Sequence, residues 1–353
     1  MHHFFWRFVV TISCALIVSA CSSASAPGSG NVDNPASGPD TVERALIDLT
    51  GTYRGFRGGL YPNGSNSIPT THASAGSSRA KNIRPLDVNG NPAATGKYVL
   101  LSVGMSNTAQ EFCGGDMTTG CASETFMGQA ASDPQVNKSA LVIVNGAQGG
   151  RDATNWTSAS MPTFDEADKR LASLGLTPKQ VQVVWLKQAD AGPTKSLPDA
   201  NADAFALENR LGQIVRAIKV RYPNTQQVFV TSRTYAGYAT STLNPEPYAY
   251  ESGFAVKWLI QAQIDQMERG TIVDTRAGDL NYNSAAPWIA WGPYPWAAGM
   301  TPRSDGLTWD RTDFGSDGTH PSTSGRAKVG ALLLNFFKSS AVTKCWFVQG
   351  QTC

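Results

Sequence analysis

The chain has 353 residues, and 29 Lys and Arg nearly balance 27 Asp and Glu, leaving a formal net charge of +2. That charge is too small for an electrostatic nucleic-acid binder, so no nucleic acid is expected as a partner. Charged residues make up only 16% of the chain against 34 glycines and 20 prolines, which argues against long coiled coils and charge-driven disorder and for a core joined by many loops.

After Arg7, residues Phe8 to Ala20 are apolar almost without a break. The run is shorter than the ~18 residues that mark a spanning helix and has the length of a signal peptide, so residues 1–20 read as an export signal. It ends Val18-Ser19-Ala20-Cys21, small residues directly before a cysteine, which resembles the lipobox of bacterial lipoproteins. Lipidation at Cys21 would then give an exported lipoprotein, periplasmic or at the cell surface, whose lipid anchor is its only membrane contact. Cleavage after Ala24 or Ala26 is the alternative and would yield a soluble secreted protein. Residues 21–40, rich in Ser, Gly, Pro and Ala, read as a flexible linker. The remainder, 41–353, is long enough for one α/β domain.

Within it, residues 41–96 fit no regular period and read as a loop-rich lead-in that packs on the domain. Short β-branched runs then predict buried strands at Lys97 to Val103, Ala140 to Val144, Val181 to Leu186 and Gln227 to Thr231, with a last strand at Trp288 to Trp291. Helical spacing predicts helices over Ala202 to Tyr222, where Leu207, Leu211, Ile214, Val215 and Ile218 share a face, over Phe254 to Arg269 and over Ser324 to Lys338. Alternating strands and helices imply a parallel sheet covered on both faces.

Of the six cysteines, Cys14 falls in the leader and Cys21 is the proposed lipid site. The spacing of the others favours disulfides Cys113 with Cys121 and Cys345 with Cys353, as suits an oxidising compartment. Zinc is the alternative, but no His lies near either pair and neither has a Cys-x-x-Cys spacing.

Two of the four histidines, His2 and His3, lie in the leader, leaving His72 and His320. His320 ends Asp317-Gly318-Thr319-His320, which can place a carboxylate and an imidazole on one turn. A serine nucleophile needs that combination: a base to take its proton and an acid to orient the base. Ser106, in Gly104-Met105-Ser106-Asn107 at the end of the first predicted strand, stands where α/β enzymes gather reactive groups. Serine is also a favoured helix N-cap, and on this segment alone that reading would win.

Three segments in order, Gly104-Met105-Ser106-Asn107, Asn145-Gly146-Ala147-Gln148-Gly149-Gly150-Arg151 and Asp317-Gly318-Thr319-His320, resemble the nucleophile, glycine and Asp-x-x-His blocks of the SGNH (GDSL-like) hydrolases. The resemblance is closest to the sialate O-acetylesterase-like carbohydrate esterases. It implies a three-layer α/β/α sandwich with a parallel, flavodoxin-like sheet and ester hydrolysis through an acyl-enzyme. Ser106 would be the nucleophile, His320 the base and Asp317 its orienter. The oxyanion hole would combine the backbone N–H groups of Ser106 and Gly150, or Gly149 if the register shifts by one, with the side-chain amide of Gln188. The chain departs from the family at this last block, reading Trp185-Leu186-Lys187-Gln188-Ala189-Asp190. No cofactor or metal is required.

Further candidates for the substrate site are Asn107, Arg233 and Tyr235. Trp291 belongs to an aromatic segment, Trp288 to Trp296, that could stack on sugar faces. Each also has a structural reading as turn, surface or core residue. The expected activity is hydrolysis of acetyl or other short acyl esters, on carbohydrates or another small ester. Lipase, arylesterase or thioesterase chemistry, and a silent glycan-binding module, are the alternatives.

Overall fold

A computed structural model describes residues 1–2 and 43–353 except 116 and 118. The expected export signal beyond residue 2, with Cys14, and the expected linker, with Cys21, lie outside the described residues. Two antiparallel residue pairs, β1 (Thr52–Tyr53) and β2 (Phe56–Arg57), open the described chain, followed by α1 (Thr70–Ala80). Then come β3 (Tyr98–Gly104), α2 (Ser106–Phe112), α3 (Phe126–Ser132), β4 (Leu141–Asn145), α4 (Pro162–Ser173) and β5 (Val181–Lys187). The chain continues through α5 (Asp203–Arg221), β6 (Gln227–Thr231), α6 (Tyr248–Arg269), β7 (Trp288–Trp291), α7 (Thr323–Ser339) and α8 (Lys344–Phe347).

Five strands form one parallel sheet in the order β4-β3-β5-β6-β7, the flavodoxin-like order. Each predicted strand and helix is present within a few residues, α6 beginning six residues earlier than the spacing implied. β3 is buried at every position, as a strand covered on both faces must be. Side-chain alternation sorts its residues: Val99, Leu101 and Val103 face one core with Phe164, Leu171, Leu211, Ile214 and Phe254 of α4, α5 and α6. Tyr98 and Leu100 face the other, with Phe112, Phe126, Leu333 and Phe337 of α2, α3 and α7. The three layers follow from this division.

The lead-in holds a helix that the sequence reading missed. α1 has no large apolar stripe, and its buried face consists of His72, Gly76 and Ala80, four residues apart. A Cβ on Gly76 would come within 2.4 Å of the Trp288 ring, so only glycine lets α1 approach β7 this closely. His72 Nε2 lies 2.8 Å from the Ile289 carbonyl oxygen, and Trp288 Nε1 donates to the His72 carbonyl at 3.0 Å. Burial lowers the His72 pKa to about 4 despite that bond, so the ring is neutral at pH 7 and gives Nε2–H to the carbonyl. From the other side, Gln263 Oε1 accepts from Ile289 N–H at 2.7 Å.

The cysteines pair as Cys113–Cys121, just beyond α2, and Cys345–Cys353, at the C-terminus. These thiols are therefore not available to zinc. No helix among the described residues is long and apolar enough to cross a membrane.

Lys187, the last residue of β5, and Glu111 of α2 are both fully buried, with Nζ 2.6 Å from each carboxylate oxygen. Burial pulls the Lys187 pKa down while Glu111 holds it up. Glu111→Ala would strand the ammonium and should lower unfolding free energy by about 3–5 kcal/mol. Urea denaturation at pH 7 checks this; an unchanged midpoint would show that the pair does not support α2 on the sheet.

Candidate active site

Parallel strands deliver their following loops to one edge of the sheet. β3 ends at Gly104, where a Cβ would stand 2.4 Å from the Lys187 carbonyl oxygen and 2.3 Å from Thr108 Oγ1. Glycine thus lets the chain turn sharply against β5, and Ser106 emerges as the first residue of α2. Thr108 Oγ1 donates to that same carbonyl at 2.7 Å and fixes the helix there.

The loop before α7 brings the second and third groups. His320 Nε2 lies 2.7 Å from Ser106 Oγ, and His320 Nδ1 lies 2.5 Å from Asp317 Oδ2. Asp317 Oδ1 accepts from the backbone N–H groups of Thr319 and His320, each at 3.0 Å. This tight turn requires Gly318, which has φ +65° and whose Cβ would meet the Tyr238 carbonyl oxygen at 1.8 Å. Asn107, buried beside Ser106, donates through Nδ2 to the Thr319 carbonyl at 2.9 Å and ties the two loops together. Burial alone would raise the Asp317 pKa, but the hydrogen bonds from His320 and the two backbone amides prevail and hold it at about 2. An ionised Asp317 fixes the proton on Nδ1 and leaves Nε2 as an acceptor facing Ser106.

Ser106 and His320 line a cavity of about 300 Å³ with Asn107, Gly150 and Arg233. The lining also holds the polar Arg151, Asp152, Asn155, Asp190 and Asn244 beside the apolar Met105, Ala189, Ala191 and Leu243. Gly150 has φ +69°. Among the described residues no protein group takes the N–H of Ser106 or of Gly150, and both residues line the cavity.

Other expected site residues lie elsewhere. Gln188 is buried, donates from Nε2 to the Arg151 carbonyl at 3.2 Å and does not line the cavity. Trp291 is a core residue whose Nε1 donates to the Leu60 carbonyl at 2.7 Å, and it packs edge-on to Tyr294. Tyr235 packs edge-on to Tyr238 and Trp296 rather than on the cavity. The aromatic segment is built into the core because β7 buries both its faces. The sequence reading missed Asp152, Asn155, Asp190 and Asn244. The run Arg151-Asp152-Ala153-Thr154-Asn155 after the glycine block, polar at four of its five positions, was the available signal. Asn155 Nδ2 is itself engaged by Asp152 Oδ1 at 2.8 Å.

No protein-family model and no curated protein matches the chain. Among solved structures it is similar to a Parabacteroides merdae protein described as GDSL-like, at 14% identity, over 68% of this chain and 94% of that one, TM-score 0.35. It is also similar to an extracellular lipase from Streptomyces rimosus, at 15% identity over 67% and 98%, TM-score 0.32. A third is a family 2 carbohydrate esterase with a carbohydrate-binding domain from Corynascus thermopiles, at 12% identity over 68% and 65%, TM-score 0.34. At this level of likeness the chemistry has to be read from the site's own groups.

The Asp317 carboxylate titrates at about 2 in the folded protein against an ordinary 3.8. Folding thus favours its ionised form, and the resulting stabilisation is present above about pH 4 and lost as pH falls toward 2. Asp317→Asn should accordingly be less stable than the parent at pH 5, with the two unfolding free energies converging near pH 2. Urea titrations across that range check it; a constant difference would assign the effect to something other than this ionisation.

Proposed function

We propose that this chain is a serine esterase of the SGNH type that hydrolyses acetyl or other short acyl esters through an acyl-enzyme on Ser106. One observation carries the reading: a single imidazole bridges Ser106 Oγ at 2.7 Å and the Asp317 carboxylate at 2.5 Å. His320 would take the Ser106 proton as Oγ attacks the ester carbonyl, and return it to the departing alcohol. Asp317, ionised across the working range, would stabilise the imidazolium between these steps. The N–H groups of Ser106 and Gly150 are suited to the developing oxyanion. Water would then repeat the sequence on the acyl-enzyme, releasing the acid and restoring Ser106.

The small cavity favours a short acyl group. The polar groups of Asp152, Asn155, Asp190 and Asn244 in its lining favour an alcohol rich in hydroxyls, and a carbohydrate is the proposed alcohol that carries the acyl group. Without Gln188 in the cavity, the backbone donors carry the oxyanion.

A fluorophosphonate should label Ser106, and Ser106→Ala should be folded, unlabelled and at least about 10³-fold slower in kcat, because the three groups act as a unit. His320→Ala should lose activity on a similar scale. Undiminished turnover by folded Ser106→Ala would reject the assignment, and so would failure of the wild-type protein to label.

The disulfides fit an oxidising compartment, and lipid anchoring at Cys21 is the proposed means of retention there. The precursor should incorporate labelled fatty acid and Cys21→Ser should not. A soluble product beginning after Ala24 or Ala26 would replace anchoring with secretion and leave the catalytic reading intact.

A further inference from the structure

Arg233, just past the end of β6, lines the cavity that holds Ser106 and His320 yet is only 2% exposed. Its Nε is buried and makes no hydrogen bond, and no carboxylate among the described residues pairs with its guanidinium. A buried cation without a partner is costly, and one retained at a reaction cavity is poised for an anion from outside.

The acidic groups that act on Arg233 from a distance are Glu111, Glu246 and Asp317, and each is committed elsewhere. Glu111 holds Lys187 with both oxygens. Glu246 accepts from the N–H groups of Ala236 and Tyr250 and from Trp296 Nε1, and burial raises its pKa to about 7 in spite of them. Asp317 is occupied by His320 and two backbone amides. Of the acids lining the cavity, Asp190 is paired with Arg210. Asp152 accepts from Thr154, Asn155 and the Ala191 N–H. Asp152 is held by neutral donors alone, and the other arginine of the lining, Arg151, is exposed; Arg233 is thus the buried cation of the cavity.

We propose that Arg233 recognises a carboxylate carried by the ester substrate in addition to the ester that is cleaved, so that the preferred substrates are anionic. This rests on the serine-esterase reading and deepens it. Guanidinium suits the task because it stays protonated when buried and offers paired N–H groups that match a carboxylate. The carboxylate can belong to the acyl part or to the alcohol part, and the two sources are separable by experiment.

In the acyl arm, kcat/KM is measured for 4-nitrophenyl hydrogen succinate and for its uncharged methyl ester. In the alcohol arm, acetate release is compared between an O-acetylated uronic acid and its methyl ester. The charged member should be preferred by at least tenfold in one arm, which identifies the source. In Arg233→Gln that ratio should fall to near one, with Arg233→Lys between the two. A ratio of one or less in both wild-type arms overturns the proposal, as does a ratio unmoved by Arg233→Gln. Should that variant fail to fold, wild-type inhibition decides: succinate should compete at concentrations at least tenfold below succinamide, and equal inhibition counts against the site. Failure of the parent reading looks different, since Ser106 would not label and no ester would turn over; the proposal would fall with it. A labelled, active enzyme indifferent to charge overturns the anion site alone.

Discussion

Parallel pairing along β3 governs where everything else can sit. Its register sets Ser102 beside Asn145 of β4 and Gly104 beside Lys187 of β5, so three neighbouring strands end at nearly one level. The segments that follow them, Met105-Ser106, Gly146 to Gly150 and Gln188 to Asp190, therefore emerge side by side. Slipping β3 by one residue would exchange the two sets of side chains on its faces and send Val99, Leu101 and Val103 into the wrong core. The burial of both faces thus holds the position of Ser106, several residues away from any of those side chains.

Beneath that edge lies a layer of charged side chains, Lys187, Glu111 and Arg233 among them buried. Lys187 and Glu111 neutralise one another at hydrogen-bond distance, and Glu246 is satisfied by amide and indole donors. Arg233 is left facing the cavity. Ions in an apolar interior act over longer range than ions at a surface, and Arg233 lines the cavity as such an ion. The ionised Asp317 lies on the far side of the imidazole from Ser106.

The strands were legible because β-branched runs bounded by Gly, Asn or Pro have few other readings, and the helices after them because Leu207, Leu211, Ile214 and Ile218 mark a face. The pattern Asp317-Gly318-Thr319-His320 could be recognised because the turn is short: the geometry that joins acid and base is local. α1 was not legible, since its contact with the sheet uses a histidine, a glycine and an alanine, which carry no hydrophobic period. Gln188 and Trp291 were misplaced for a different reason. Their positions along the sequence put them at the right edge or beside the right strand, but which way a side chain turns there is decided by partners far away, Arg151 and Leu60. The polar groups of the cavity lining are distributed over three loops, and no single window of sequence contains them.

β7 stands at the end of the sheet, where a strand ordinarily offers unpaired N–H and C=O groups to any passing chain. Ile289 has neither to offer: Gln263 takes its N–H and His72 takes its carbonyl. Two side chains imitate, for one residue, the neighbouring strand that is not there. The helix that carries His72 therefore does more than fill space beside Trp288. It blunts the sheet against edge-to-edge addition of a second molecule, a hazard that grows when copies are crowded together on one surface.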